Sequence, residues 1–361
     1  MRRPSGSKAR RGLWPLASSY TSAATLIGAA TIFGLATAQA EPGTITQSAE
    51  GISREVKEIF ARSARAVVKI RGADKHGNLA GTGFFIDPAG TLYTAYSVGA
   101  DAEDFTVEFD GKRLPARQVM ADRRSGIALL KVDAATPALP IGKSEDVEVA
   151  TPVLTVGFPL DLPETPSFGM IAGFDRKFLG RYFSTTHLRV NLPTQRGEAG
   201  APLLNFKGEV IGILVSSVEN GSACYALPID AAEKIRSDFV RFGEARHGWI
   251  GINVADAGKE VEGSTAQFTD IMPGTPAADC GARPGDILLQ VGQTKVHQPE
   301  DVIDASFFIT AGDTVPITVL RGDQKLTFQV EAGFHPAEQR PAVIASPLSP
   351  QAMPLGLDRT P

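Results

Sequence analysis

Between residues 66 and 228 the chain is written almost wholly in short apolar or alternating runs broken by turn signals, and this texture limits its folds most. Asp87-Pro88-Ala89-Gly90, Asp110-Gly111 and Lys207-Gly208 punctuate the runs, each a cluster that favours a tight turn over continued strand or helix. Helical spacing is scarce in between. Parallel α/β architectures need a helix between successive strands, so the pattern predicts a barrel or sandwich.

Three stretches do carry helical periodicity. Val56, Ile59, Phe60 and Ser63 would lay one face onto a barrel or a neighbouring subunit. In PIDAAEKIRSDFVRFG, the residues Ile229, Ala232, Ile235 and Phe239 share a face, and Gly243 suits the helix end. A third run follows Pro299, with Val302, Ile303 and Ser306. Strand texture resumes at GWIGINV, which puts a domain boundary near residues 245–248.

The two ends of the chain have other compositions. Arg2, Arg3, Lys8, Arg10 and Arg11 precede an apolar run from Ala23 to Ala36 and the sequence Ala38-Gln39-Ala40. That order of basic, apolar and small residues predicts a secretory signal cleaved after Ala40, hence a periplasmic or secreted chain. The Arg10-Arg11 pair is a weak twin-arginine signal. Beyond residue 335 the chain is rich in Pro, Ala and Ser and predicts a disordered tail. Cleavage removes five positive charges and no negative one, taking the formal charge from −4 to −9. An acidic chain without a basic stripe argues against nucleic acid as a partner. Cys224 and Cys280 fall in different predicted domains and read as isolated small residues. No His, Cys or acidic cluster has metal-ligand spacing, and no cofactor is expected.

Four segments then come in a telling order: GTGFFIDPAGTLYTAYSVGA, DRRSGIALLKV, TVGFPL with SFGMIAG, and RGEAGAPLLNFKGEVIGI. Together they resemble the HtrA serine proteases, exported trypsin-like double β-barrels. Trp249 to Gly333 resembles the PDZ domain that follows them, with ARPGDILLQVGQTKV as its strand and turn signature. The resemblance implies a mainly β chain. Its expected parts are a signal peptide (1–40), an N-terminal segment with a short helix (41–65), a trypsin-like double barrel (66–244), one PDZ domain (247–334) and a tail (335–361).

At three positions the family's chemistry is missing. A serine protease needs a nucleophilic hydroxyl, an imidazole base and a carboxylate that orients the imidazole. The family's histidine falls on Ser97, its aspartate on Gly126 and its serine on Ala199. Ala201 replaces the loop's last glycine and is expected to strain it. Glu198 replaces an asparagine and reads as a solvated loop charge. The five histidines sit in turns, at domain joints or in the tail, and none has a nucleophile companion. The reading is therefore that the chain is no enzyme but a pseudoprotease.

The PDZ-like segment keeps its machinery. Trp249-Ile250-Gly251-Ile252 matches the family's aromatic-Leu-Gly-Ile loop, which implies capture of a peptide C-terminus beside a sheet edge. Ile250 and Ile252 are expected to line an apolar pocket facing the helix after Pro299. The resemblance implies an adaptor, scaffold or chaperone for unfolded proteins or apolar C-termini in envelope quality control. Its alternatives are a regulatory subunit of an active HtrA protease and an endopeptidase with a rearranged site. Family members assemble as trimers through segments near the mature N-terminus, so Val56, Ile59 and Phe60 are candidates for a homo- or hetero-oligomeric contact.

Overall fold

The computed structural model describes residues 42–74, 77–100, 102, 104–218 and 221–335. Residues 1–41, where a signal is expected, His76 and the segment beyond His335 lie outside the described residues. Helix α1 (Pro42–Ser63) leads into β1 (Val67–Asp74), β2 (Gly77–Phe85) and β3 (Thr91–Ala95). The one-turn helix α2 (Tyr96–Gly99) precedes β4 (Asp104–Phe109), β5 (Lys112–Asp122) and β6 (Ile127–Val132). These six strands close a barrel in the order β1-β2-β3-β6-β5-β4. Its tight turn after β2 forms because Asp87 Oδ1 accepts the N–H groups of Ala89 and Thr91 at 2.9 and 3.0 Å.

A second barrel follows the same logic. It comprises β7 (Pro152–Gly157), β8 (Thr165–Phe178), β9 (Arg181–Val190), β10 (Pro202–Leu204), β11 (Val210–Val218) and β12 (Ala223–Pro228). Pairing of Leu203 with Thr155 closes it in the order β10-β11-β12-β9-β8-β7. Helix α3 (Ile229–Phe242) packs Ile229, Ala232 and Ile235 into the core shared by the barrels. It ends at Gly243 in the left-handed conformation, whose N–H bonds to the Phe239 carbonyl. On α1, Ile59 is buried in this same core and Val56 and Phe60 pack against it. Ile59 thus serves the first of the two uses foreseen for that face, packing on the chain's own barrel.

The remaining elements are β13 (Gly248–Trp249), β14 (Ile252–Val261), β15 (Ser264–Ile271), α4 (Pro276–Asp279), β16 (Ile287–Val291) and β17 (Thr294–Lys295). Then come α5 (Asp301–Phe307), β18 (Thr314–Arg321), β19 (Gln324–Glu331) and β20 (Gly333–Phe334). The main path is β14-β15-β16-β18-β19, with β13 paired to β20. Its core holds Ile250, Phe268, Leu288, Val319 and Val330. The mainly β reading thus stands. Cys224 and Cys280 are both free thiols.

Polar and apolar ties fasten α5 to the second barrel. Arg176 on β8 bonds to Asp301 at 2.7 Å and to Asp304 at 2.9 Å. Thr185 and Thr186 on β9 also donate to Asp304. Phe307, at the end of α5, belongs to the core of the barrels rather than to its own sheet.

Candidate functional site

Two concave sites stand out, one in each half. The first is a cleft of about 580 Å³ in the second barrel, lined by residues 194–199, Leu214, Val215, Ser216, Ser217, Gly221 and Cys224, with Ser97 on its rim from the first barrel. The loop that shapes it keeps the frame read from sequence. Gly197 and Gly200 have φ of +97° and +88°, a region that glycine enters without steric cost. A Cβ on Gly200 would stand 2.2 Å from the Thr82 carbonyl oxygen. Thr82 donates through Oγ1 to the Gly197 carbonyl and through its N–H to the Ala199 carbonyl.

The result is a pair of unengaged donors. Among the described residues, the N–H groups of Gly197 and Ala199 bond to no protein acceptor. Two such donors, fixed in advance, are what a developing oxyanion requires. Ala201 disappoints the expectation of strain, because it is not among the residues with positive φ and is fully buried in the barrel core.

Ser97 and Ala199 are brought together on this cleft, and Gly126 is not part of its lining. Gly126 is tied to the same corner, since its carbonyl accepts the Tyr96 N–H at 2.7 Å. Glu198 departs from its sequence reading. It is 2 % exposed, and Oε2 accepts the Gln195 N–H at 2.6 Å. Burial pushes its carboxyl above the usual carboxylate range. Room for it comes from Gly157, where a Cβ would lie 3.1 Å from the Glu198 Cγ.

One histidine also differs from expectation. His187 lies inside β9, buried and stacked on Phe183, with Nδ1 against the Thr185 carbonyl oxygen. Burial lowers its pKa to about 4. His247 pairs with Asp122, Nε2 to Oδ1 at 3.1 Å. Burial works against the Asp122 charge, but His247 and Ser125 outweigh it and bring the carboxyl to about 2. Among the described residues His247 Nδ1 is buried without a hydrogen-bond partner. The pair ties residue 247 to the end of β5.

The second site is a groove between β14 and α5, lined by Ile252, Asn253, Val254, Pro299, Val302, Ile303 and Ser306. Trp249 stands at one end with its ring edge-on to His335, at 5.4 Å between centroids. Ile250 lies elsewhere than foreseen, 3 % exposed in the core, so Ile252 alone of the pair lines the groove. Gly251 has φ +80°, and a Cβ there would stand 2.4 Å from that of Thr275. The carbonyls of Ile250 and Gly251 accept from Ala277 and Met272. Their N–H groups bond to no protein acceptor among the described residues. From the barrel, Tyr182, Phe183, Ser184 and Arg124 complete the groove's wall, a contribution no local sequence signal announces.

Comparison with known proteins agrees with this layout. Residues 81–213 match the trypsin-like peptidase domain and residues 248–332 the PDZ domain. A probable periplasmic serine endoprotease, DegP-like, of Halomonas elongata is 31 % identical over 73 % of this chain and 58 % of the relative. One of the same name from Pseudomonas fluorescens is 27 % identical over 81 % of this chain and 64 % of the relative. The chain thus spans about six-tenths of these curated relatives. The solved serine endoprotease from Yersinia pestis is 26 % identical, with a TM-score of 0.58, over 78 % of this chain and 98 % of that one. An HtrA-type protease AlgW with tripeptide shares the fold, with a TM-score of 0.67 at 23 % identity, over 78 % of this chain and 97 % of that one. The relatives named here are all called proteases, which overturns the expectation, drawn from Ser97, Gly126 and Ala199, that the chain is no enzyme. The relatives named by compartment are periplasmic. Among the described residues no helix is long and apolar enough to cross a membrane.

Proposed function

The chain belongs to the HtrA family, and from that premise we propose that it handles polypeptides in the periplasm, taking their C-termini in the loop at residues 249–252. The observation that carries this is the pair of N–H groups on Ile250 and Gly251 that engage no protein acceptor among the described residues, between Trp249 and Ile252, which line a groove beside a strand. Such a loop receives a terminal carboxylate, while the peptide adds a strand along β14. Ile252, Val254, Val302 and Ile303 would take the last apolar side chain. Unfolded proteins expose such ends, so envelope quality control is the setting.

Titrating the full chain with a fluorescent peptide ending in an apolar residue tests this. Gly251→Ala should weaken binding at least about tenfold, because its Cβ must displace Thr275 and because φ +80° strains any other residue. Equal affinity for the peptide and its C-terminal amide would sink the reading.

A second reading concerns the barrel cleft, and the free donors of Gly197 and Ala199 favour it: peptide hydrolysis by a rearranged site. Ala199 has no heteroatom, so the nucleophile has to come from another group on the cleft, Ser97, Thr194, Ser216, Ser217 or Cys224, or from water. Oxyanion donors and binding alone leave about 10³–10⁴-fold acceleration over water when a triad member is lost. Hydrolysis of an activated ester at that level is expected, and a fluorophosphonate would mark the serine used. No hydrolysis above the buffer rate refutes it.

A further inference from the structure

We propose that the barrel cleft is a receptor for the cationic side chain of a lysine or arginine in an extended polypeptide, with the Glu198 carboxylate and the Thr194 hydroxyl as acceptors. This deepens the proposed handling of polypeptides and rests on it, by naming which segment the barrel selects.

Glu198 is the first observation. It is 2 % exposed, yet among the described residues its carboxylate accepts one hydrogen bond, from the Gln195 N–H, and has no cation beside it. Buried carboxylates are ordinarily paired, because desolvation without a partner is costly. The second observation is independent. Thr194 is 7 % exposed, and its Oγ1 is buried with no hydrogen-bond partner, where native structures leave few such groups. Both residues line the same cleft. An ammonium or guanidinium would give both acceptors charge-assisted bonds and restore the carboxylate's ordinary ionisation.

The rest of the lining suits the stem of such a side chain. Leu214, Val215 and the Ala199 methyl offer apolar surface, against which long cationic side chains lay their methylenes. A volume of about 580 Å³ takes one such side chain with room to spare. The cation already nearby, Arg196, is exposed to water, where its charge is screened.

Calorimetry on the full chain with benzamidinium, and with neutral benzamide as its isostere, provides the test. Benzamidinium should bind at least tenfold more tightly, and Glu198→Gln should erase that preference. Should Glu198→Gln fail to fold by circular dichroism, Thr194→Val must lower the preference at least threefold. A peptide with an internal lysine should bind at least tenfold more tightly than its norleucine counterpart with the same apolar C-terminus. No preference for benzamidinium over benzamide overturns the proposal, as does a preference that survives in the folded variant. A preference for benzamidinium without one for the lysine peptide would mean that a small free cation is the ligand, and overturns it too. Amidating the peptide's C-terminus reads the residue 249–252 loop separately. Loss of the lysine preference with retained carboxylate dependence sinks this proposal alone, and the reverse pattern sinks the groove reading alone.

Discussion

Replacing Phe307 by alanine is expected to destabilise the chain by about 3–5 kcal/mol, the range for emptying a fully buried aromatic site. The residue is 0 % exposed, and its ring lies against His247 and Phe308, with centroids 5.7 and 5.5 Å away. It sits on α5, one wall of the peptide groove, but is packed in the core of the barrels. The cavity should therefore act on two observables at once. The denaturant midpoint should fall, and peptide affinity in the groove should drop about tenfold as α5 loses its anchor. Phe308→Ala is the control, because that neighbour is 43 % exposed and should cost less than about 1 kcal/mol. Equal losses for the two variants would show that α5 is held by Arg176 and the threonines on β9 instead.

Much of this architecture was legible in the sequence, because its signals are local. Alternation and turn residues marked the strands, and Ile229, Ala232, Ile235 and Gly243 gave α3 its buried face and its end. Gly251 could be picked out from its motif, and its positive φ is a local property. What sequence hid depends on groups far apart along the chain. Asp122 and His247 are 125 residues apart, and Arg176 and Asp301 the same distance. No periodicity connects such pairs. Glu198 misled for another reason. A single charge in a glycine-framed loop reads as solvent-facing, and only the space left by Gly157 on another strand allows it to turn inward. Ile250 misled because residues two apart share a face in an extended strand, whereas here Gly251 between Ile250 and Ile252 has φ +80° and breaks the extended run.

Ala201 matters most for what the barrel can be made to do. A replacement for glycine disrupts a loop only where the glycine used a conformation closed to other residues. Here Gly197 and Gly200 hold those conformations and are retained, while Ala201 is packed in the core. The glycine conformations of the loop are thus kept, and the missing parts are side-chain groups. Restoring them together, by Ser97→His, Gly126→Asp and Ala199→Ser, should raise hydrolysis of an unfolded substrate by at least about 10³-fold. That is a fraction of the roughly millionfold that a triad contributes in turnover as a unit. The shortfall has an identifiable source. Gly126 has φ +81°, so Asp there carries strain of about 1 kcal/mol or more. Space is not the obstacle, because a Cβ at Gly126 would meet Val215 at an ordinary 3.7 Å. Ser97 is exposed on the cleft rim, which leaves an imidazole room to reach residue 199. Ala199→Ser alone should gain less than about tenfold, since a hydroxyl without a base is a weak nucleophile. A triple variant no faster than this single one would mean that the corner formed by Tyr96 and Gly126 no longer aligns base with nucleophile. The barrel's hydrolysis would then have to draw on other nucleophiles at the cleft, such as Ser216, Ser217 or water.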